Sequence, residues 1–446
     1  MACRWNHSRS PKPTAKSKAT IAAAVHDGDY IIALDFSAYY HQFALAPEIG
    51  RRMCFGWNHK FYKLDRAAMG QRQMVDVANA TTTRILDFEH KSKRVQSIID
   101  NVSFIGNRED VIDDAWEFVQ RCRTVLATLN EIDVRTATRG DVEKLVRQEA
   151  DWGGVHINLV DKSVALMEKI TRKTELSWSR RAHWQWRHFA AHVGLLFWAW
   201  GITDLPMSEF FPALRFISEV GKAATEALER VRADRGLPAD AMPPNPFWHE
   251  HAKVWPSALP ALERWTELVV RNTPRAVLEQ RPPEVIFECD ASKKGYAVGA
   301  LNLVTGETLA FAEKWSPEMR RRFGDKLRES TTSENFGVTF SLIVCHRKWP
   351  DATRFAGTND NTVAVVSSRK RFNSKSWAIN ESLRIRDEIF SAQRFDVLMK
   401  PCAGLSNIAD AGSRGIVFDE LSGEDAQILR SRWGISDGSS TLASSD

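Results

Sequence analysis

No apolar run in this chain is long enough to span a bilayer. The most apolar piece, residues 193–200, is short and lies among basic residues and tryptophans. The N-terminus lacks the apolar core of a signal peptide, so an intracellular protein of cytoplasm or nucleus, with no membrane partner, is expected. Cysteine is sparse: six residues, at 3, 54, 122, 289, 345 and 402, with no Cys-x-x-Cys pair. That scatter argues against a disulfide framework and a cysteine zinc site, and suits a reducing compartment. A strong net charge is missing too. The balance is +5 over 446 residues, so any charged partner must be sought in local clusters. What remains is ordinary: 43% hydrophobic and 26% charged residues, enough for roughly two to four globular domains.

Acids recur at the ends of apolar stretches. Residues 30–34 read as a buried strand that delivers Asp35, and an aromatic-rich segment follows. Alternating apolars over 51–64 suit a hairpin, and helical spacing follows Met69-Gly70-Gln71 to about residue 86. Two short apolar strands flank Asp100-Asn101, which is good hairpin-turn chemistry because asparagine tolerates a left-handed backbone. An amphipathic helix over 109–130 comes next, then a hairpin over 150–166 that turns at Gly153-Gly154. Strand–helix–strand–strand–helix–strand can bring Asp35 and Asp100 side by side. Two carboxylates sharing two divalent cations about 3.5–4 Å apart can activate a hydroxyl and stabilise a leaving pyrophosphate. Magnesium suits such a sparse site, because it takes few carboxylates plus substrate phosphates.

Asp35-Phe36-Ser37-Ala38-Tyr39-Tyr40-His41-Gln42 resembles the first catalytic motif of retroelement reverse transcriptases. Met69-Gly70-Gln71 sits where that family has a turn against the incoming nucleotide, and Ile99-Asp100-Asn101 replaces its Tyr-x-Asp-Asp box. Trp152-Gly153-Gly154 is similar to its primer-grip hairpin. The resemblance implies that Asp35 and Asp100 are catalytic and hold metal. It also implies that Tyr40, Gly70 and Gln71 meet the nucleotide, with Tyr40 set against the sugar 2′ position. It departs at Asn101, a neutral amide and a weak metal ligand where the family has a second acid. Only about thirty residues precede Asp35, too few for the family's fingers, so a truncated palm with fingers largely absent is expected over 29–167. Residues 1–28 carry Arg4, Arg9, Lys12, Lys16 and Lys18 with no acid before Asp27, and read as a basic flexible tail.

Residues 168–230 are basic and rich in tryptophan. The resemblance makes this the helical thumb, with Arg180, Arg181 and Arg187 as candidates for binding the nucleic-acid backbone. Most of the tryptophans are expected to pack in a core. His188 and His192 lie at i, i+4, but the third ligand that zinc needs is missing. Residues 231–283 hold nine prolines, from Pro238 to Pro283, and read as a connection containing one short helix, 259–271.

The densest pattern begins at residue 285. A strand ends in Asp290, a Lys293-Lys294-Gly295 turn follows, and two further strands run to about residue 311. Glu334 lies on an apolar-periodic helix with a Ser/Thr-rich start, Asp360 ends a strand at a helix start, and Asp410 opens Asp410-Ala411-Gly412-Ser413-Arg414. Acids on a first strand, a first helix, a fourth strand and a final helix resemble the Asp-Glu-Asp-Asp set of the ribonuclease H fold. The boxes around Asp360 and Asp410 resemble those of retroelement members. The resemblance implies that Asp290, Glu334, Asp360 and Asp410 are catalytic and hold two Mg2+ (Mn2+ as a substitute) while water attacks RNA in an RNA–DNA hybrid. The histidine many members carry before the final helix is absent from Lys400-Pro401-Cys402-Ala403-Gly404.

The fold expected is thus an α+β polymerase palm with a helical thumb, plus an α/β ribonuclease H-like domain over 284–415 and a flexible tail over 416–446. The set of boxes is similar to tyrosine-recombinase retrotransposons of the DIRS or VIPER type. The expected activity is RNA-directed DNA polymerisation with hybrid cleavage, and the partners are RNA template, DNA primer, RNA–DNA hybrid and dNTPs. Two alternatives stay open: a degenerate palm with only ribonuclease H active, and a non-catalytic nucleic-acid-binding remnant.

Overall fold

A computed structural model of the chain describes residues 24–50, 54–58, 60–67, 72–277, 279, 281–390 and 396–435. They divide into two compact units with a mixed α/β fold. Unit one comprises the described residues up to Arg181 with Ala191–Asp204 and Leu268–Glu279. Unit two comprises Ala182–Ala190, Leu205–Glu267 and the described residues from Gln280 onward. Among the described residues no helix is long and apolar enough to cross a membrane.

Unit one opens with β1 (Tyr30–Asp35), the small hairpin of β2 (Cys54–Trp57) and β3 (Lys60–Lys63), then β4 (Arg94–Ile98) and β5 (Asn101–Gly106). β1, β5 and β4 pair antiparallel in that order, with Asp35 opposite Asn101. One face of this sheet is covered by the helix Arg108–Thr124. That helix starts where the Asn107 side chain accepts from the Asp110 amide, and it buries Val111, Ile112, Ala115, Phe118, Val119 and Cys122 at helical spacing. Against them lie Ile32, Leu34, Val102 and Phe104. Full burial of each large apolar side chain contributes about 1.5–3 kcal/mol, so this packing fixes the strand that ends in Asp35.

The β4–β5 turn differs from the sequence expectation. Ile98 pairs with Asn101, so the two turn residues are Ile99 and Asp100, and Asn101 is already in the strand. The left-handed residue is Ile99, at φ 55°. A β-branched side chain there is strained. The Ile99 carbonyl accepts from Thr82 Oγ1 (2.7 Å) on the helix Arg72–Ile85, and Thr82 in turn meets the Tyr39 hydroxyl (2.7 Å). These bonds hold the strained turn that presents Asp100.

A second antiparallel sheet of unit one runs β6 (Glu149–Trp152), β7 (Val155–Asn158), β8 (Ser163–Leu166), β9 (Arg275–Ala276). Gly153 and Gly154 turn its first hairpin at φ 55° and 87°. A Cβ on Gly154 would lie 2.8 Å from the Trp198 ring, so the close approach needs glycine as well. The helices Glu168–Ser179, Trp186–Thr203, Phe211–Asp234 and Leu259–Arg271 follow. The aromatics of this stretch largely pack, as expected: Trp184, just before the second of these helices, and Trp265 are buried, and Trp265 stacks on Phe210 with centroids 5.2 Å apart.

In unit two, β10 (Val285–Ala291), β11 (Gly295–Asn302), β12 (Thr308–Lys314), β13 (Arg354–Asn359) and β14 (Asp396–Pro401) form one sheet in the order β12-β11-β10-β13-β14. β10, β11 and β12 pair antiparallel, while β13 and β14 run parallel to β10. The helix Ser330–Lys348 makes the crossover to β13. All seven residues of β10 are buried, so its apolar residues do not alternate with exposed polar ones, and its two acids, Glu288 and Asp290, are buried too.

The flexible tail expected over 416–446 is corrected in its first half. Ser422 and Asp425 cap a helix, Gly423–Arg432, in a reciprocal capping box. Leu421, Leu429 and Ile435 cover Ile286, Leu301 and Ala356 of the sheet. Arg432 Nε donates to Glu288 Oε2 at 2.8 Å, and Glu288 is 0% exposed. Thr358 Oγ1 (2.9 Å) and the Ile408 amide (3.0 Å) donate to the same carboxylate. A helix that is mostly polar in sequence is held by one buried ion pair, by Leu429 on its own apolar side, and by Leu421 and Ile435 flanking it. Of the expected basic tail, residues 1–23 lie outside the described residues, whereas Ala24 and Val25 are buried and Asp27 pairs with Arg94.

Removing one partner of a buried pair strands the other charge. Arg432→Met should therefore lower the stability of unit two by about 3–5 kcal/mol, and adding Glu288→Gln should recover most of it. Urea unfolding of the two variants and the parent measures this. Equal midpoints for parent and Arg432→Met would dismiss the brace.

Candidate metal centres

The acids of unit two converge. Asp290 sits near the end of β10, Glu334 in the helix Ser330–Lys348, and Asp360 directly after β13. One carboxylate oxygen from each lies within 4.8 Å of the others, the one such cluster among the described residues. Close helix–strand contact makes this fit. Gly337, one turn beyond Glu334, would place a Cβ 2.7 Å from that of Ala291, so the helix can lie against β10 only with glycine there. Asp290 and Glu334 are each 5% exposed, whereas Asp360 is exposed.

Neutral donors hold two of these carboxylates. Glu334 Oε2 accepts from the Asn359 amide group (2.9 Å) and the Ala291 backbone N–H (3.1 Å). Asp290 accepts from the Ser413 hydroxyl and, at 3.5 Å, from Asn407 Nδ2. Burial, then the neighbouring charge of Asp290, pushes Glu334 up to about 8, against the hydrogen bonds that favour its charged form. Burial likewise raises Asp290, opposed by Ser413 and reinforced by Asp360 and Asp410. Three hard oxygen donors that repel one another, two of them buried and one open to solvent, fit a small divalent cation.

The fourth expected acid is placed differently. Asp410 opens a short helix, Asp410–Ser413, and its Oδ1 accepts from Arg414 at 2.6 Å. It is near enough to raise Asp290 but stands outside the three-acid cluster. The loop before it carries Gly404, whose added Cβ would meet Asp360 Oδ2 at 2.8 Å. Asn407 and Ser413 belong to the box around Asp410, and Asn359 directly precedes Asp360, but nothing in the sequence assigns Asn359 or Glu288 a part in the site.

In unit one, Asp35 ends β1 and Asp100 caps the β4–β5 hairpin next to it. Asp35 Oδ2 accepts from Asn130 Nδ2 (2.8 Å), and its backbone N–H donates to Glu131 (2.9 Å). Its Oδ1 is buried with no hydrogen-bond partner. Burial, then Asp100, lifts Asp35 to about 6, with Glu131 adding to the rise while Asn130 and Lys169 oppose it. A buried, unsatisfied carboxylate oxygen beside a second carboxylate also fits a cation. Burial, then the nearby charge of Asp100, raises the pKa of the Tyr40 hydroxyl. Gly70 and Gln71 lie outside the described residues. Arg180 and Arg181 belong to unit one, where both are exposed and Arg181 lies over the Trp178 ring; Arg187, exposed, belongs to unit two.

No family model and no curated protein matches the chain. Similar solved structures include the foamy viral protease-reverse transcriptase in complex with RNA/DNA hybrid, at 12% identity over 92% of this chain and 48% of that one, TM-score 0.38. A foamy viral protease-reverse transcriptase dRH in complex with double-stranded DNA matches at 12% identity over 86% and 59%, TM-score 0.37. The N-terminal RNase H domain of a Mycobacterium tuberculosis protein, fused to maltose-binding protein, matches at 15% over 30% and 97%, TM-score 0.24. The chain spans about half the length of the two foamy viral chains, at 48% and 59%. Identities and scores this low leave the chemistry to be argued from the residues.

The raised Glu334 makes stability depend on pH. Its folded value, about 8, exceeds its ordinary 4.5, so its contribution is full below the ordinary value and lost as pH rises through the folded one. In EDTA the Tm of unit two should fall between about pH 5 and pH 8. Magnesium or manganese should restore it at the upper end by taking the proton's place, and Glu334→Gln should flatten both responses. Calorimetry with and without metal measures this. A Tm indifferent to metal at the upper pH would count against the centre.

Proposed function

We propose that this chain is a metal-dependent nucleic-acid enzyme of the reverse transcriptase and ribonuclease H kind, of retrotransposon origin. The observation that carries the reading is the meeting of Asp290, Glu334 and Asp360 from a strand, a helix and a strand end. In this reading they hold Mg2+ or Mn2+, and Asp410 joins them once substrate draws Arg414 away. When bound, the cations supply a polarised phosphodiester and an activated water. The protein's own residues do the rest: Asn359, Asn407 and Ser413 orient the carboxylates, and burial keeps competing water from Glu334. The substrate of this centre is the RNA strand of an RNA–DNA hybrid.

Unit one in this reading is the palm of an RNA-directed DNA polymerase, with Asp35 and Asp100 as its metal-holding acids. Tyr40 would lie against the sugar and favour dNTPs over ribonucleotides. Gly70 and Gln71 would contact the incoming nucleotide, and Arg180, Arg181 and Arg187 would meet phosphates of the RNA template and DNA primer.

Asp290→Asn should lower cleavage of an RNA–DNA hybrid at least about a hundredfold, matching the several kcal/mol a metal ion contributes. Gel analysis of end-labelled hybrid measures this, and persistent cleavage would remove the site assignment. Asp35→Asn should abolish extension of a DNA primer on RNA while leaving cleavage intact. Loss of both activities together would argue against two separate centres.

A further inference from the structure

Asn101 stands opposite Asp35 in the β1–β5 ladder, where a second acid is expected. Its amide has an occupation: Nδ2 donates to Asp100 Oδ1 at 3.1 Å. Asn130 does the same for the other acid, donating to Asp35 Oδ2 at 2.8 Å. The consequence is visible at Asp35, where Oδ2 is engaged and Oδ1 is buried without a partner.

Asn130 does not sit on a loose loop. Its backbone N–H donates to the Asp35 carbonyl (2.9 Å), and the Ser37 N–H donates to the Thr128 carbonyl (2.9 Å). Phe36 bridges Leu129. Gln42 grips Thr128 from both sides, its Nε2 donating to the carbonyl (3.1 Å) and its Oε1 accepting from the N–H (3.1 Å). Residues 128–131 are thus strapped to the backbone on both sides of Asp35. A donor held this firmly fixes a side-chain rotamer rather than following it.

We propose that Asn101 and Asn130 are paired positioning residues. Each clamps one oxygen of one carboxylate and leaves the other oxygen to a divalent cation shared by Asp35 and Asp100. Asn101 is then not a lost ligand. An amide suits the task because it donates a hydrogen bond without bringing a charge that would compete with the cation or repel it. A carboxylate at 101 has no proton to donate to Asp100, and it adds a like charge directly opposite Asp35. The proposal rests on the polymerase reading of unit one.

The test is Mn2+ binding, followed by the electron paramagnetic resonance signal of free Mn2+. It uses the full chain carrying Asp290→Asn and Glu334→Gln to silence the other centre. Asn130→Ala and Asn101→Ala should each weaken binding about 10- to 100-fold, the usual cost of removing a group that orients a ligand. Asn101→Asp should bind no more tightly than Asn101→Ala. Thermal melts identify any variant that has simply unfolded, and Asn130→Ser provides a second, smaller change at the strap. Tighter binding by Asn101→Asp than by the asparagine parent would overturn the proposal and mark Asn101 as a missing ligand. Unchanged binding in both alanine variants would overturn it as well. A parent that binds no Mn2+ at all would remove the polymerase reading and the proposal together.

Discussion

Mutual repulsion of carboxylates in a confined space is the constraint on which this molecule depends. Asp290 and Glu334 are almost fully buried and share a cluster with Asp360. Several kcal/mol of desolvation and like-charge repulsion must be offset at such a spot by protons or by a cation. The surroundings have to be strong enough to hold the acids there. β10 is buried along its whole length, and a glycine-allowed contact brings the Glu334 helix against it. The sheet and crossover helix are therefore the means by which three like charges are kept together.

How much of this is legible in sequence differs between features, for physical reasons. A carboxylate at the end of an apolar run is readable, since strand and acid are contiguous. Asp35, Asp290 and Asp360 stand out for that reason, and Glu334 stands out by helical spacing. Partners distant in the chain were not readable. Arg432 lies 144 residues from Glu288, and Asn130 lies 95 from Asp35. Neither pair leaves any periodic trace. The helix Gly423–Arg432 leaves little trace in the sequence because its apolar contacts are few and its anchor is an ion pair.

The turn at Ile99 shows a second limit. Local propensity favours asparagine for a left-handed residue and so points to a turn one position later than the one observed. Tertiary bonds decided otherwise: the Asp35–Asn101 pairing fixes the register, and Thr82 holds the Ile99 carbonyl. Strain at a residue next to a candidate ligand persists where the surroundings over-determine it, and here a helix, an aromatic hydroxyl and a sheet register all act on one peptide.

The two units meet the same problem in the same chemical way. Asn130 and Asn101 hold Asp35 and Asp100; Asn359 and Asn407 hold Glu334 and Asp290. A lysine or arginine in any of these places would neutralise the acid and remove the negative potential that attracts a cation. An amide orients the oxygen and leaves that potential intact. Asp410 is the contrast. Its direct partner is a guanidinium, and it is the one of the four acids in unit two that stands outside the cluster. Whether an acid is available to a metal is thus decided by what holds its other oxygen: a neutral donor keeps it available, and a cationic donor withholds it until something else engages the cation. Phosphates of a bound nucleic acid are suited to engage Arg414, which is largely exposed. In the function proposed above, Arg414 couples the arrival of substrate to completion of the acid set.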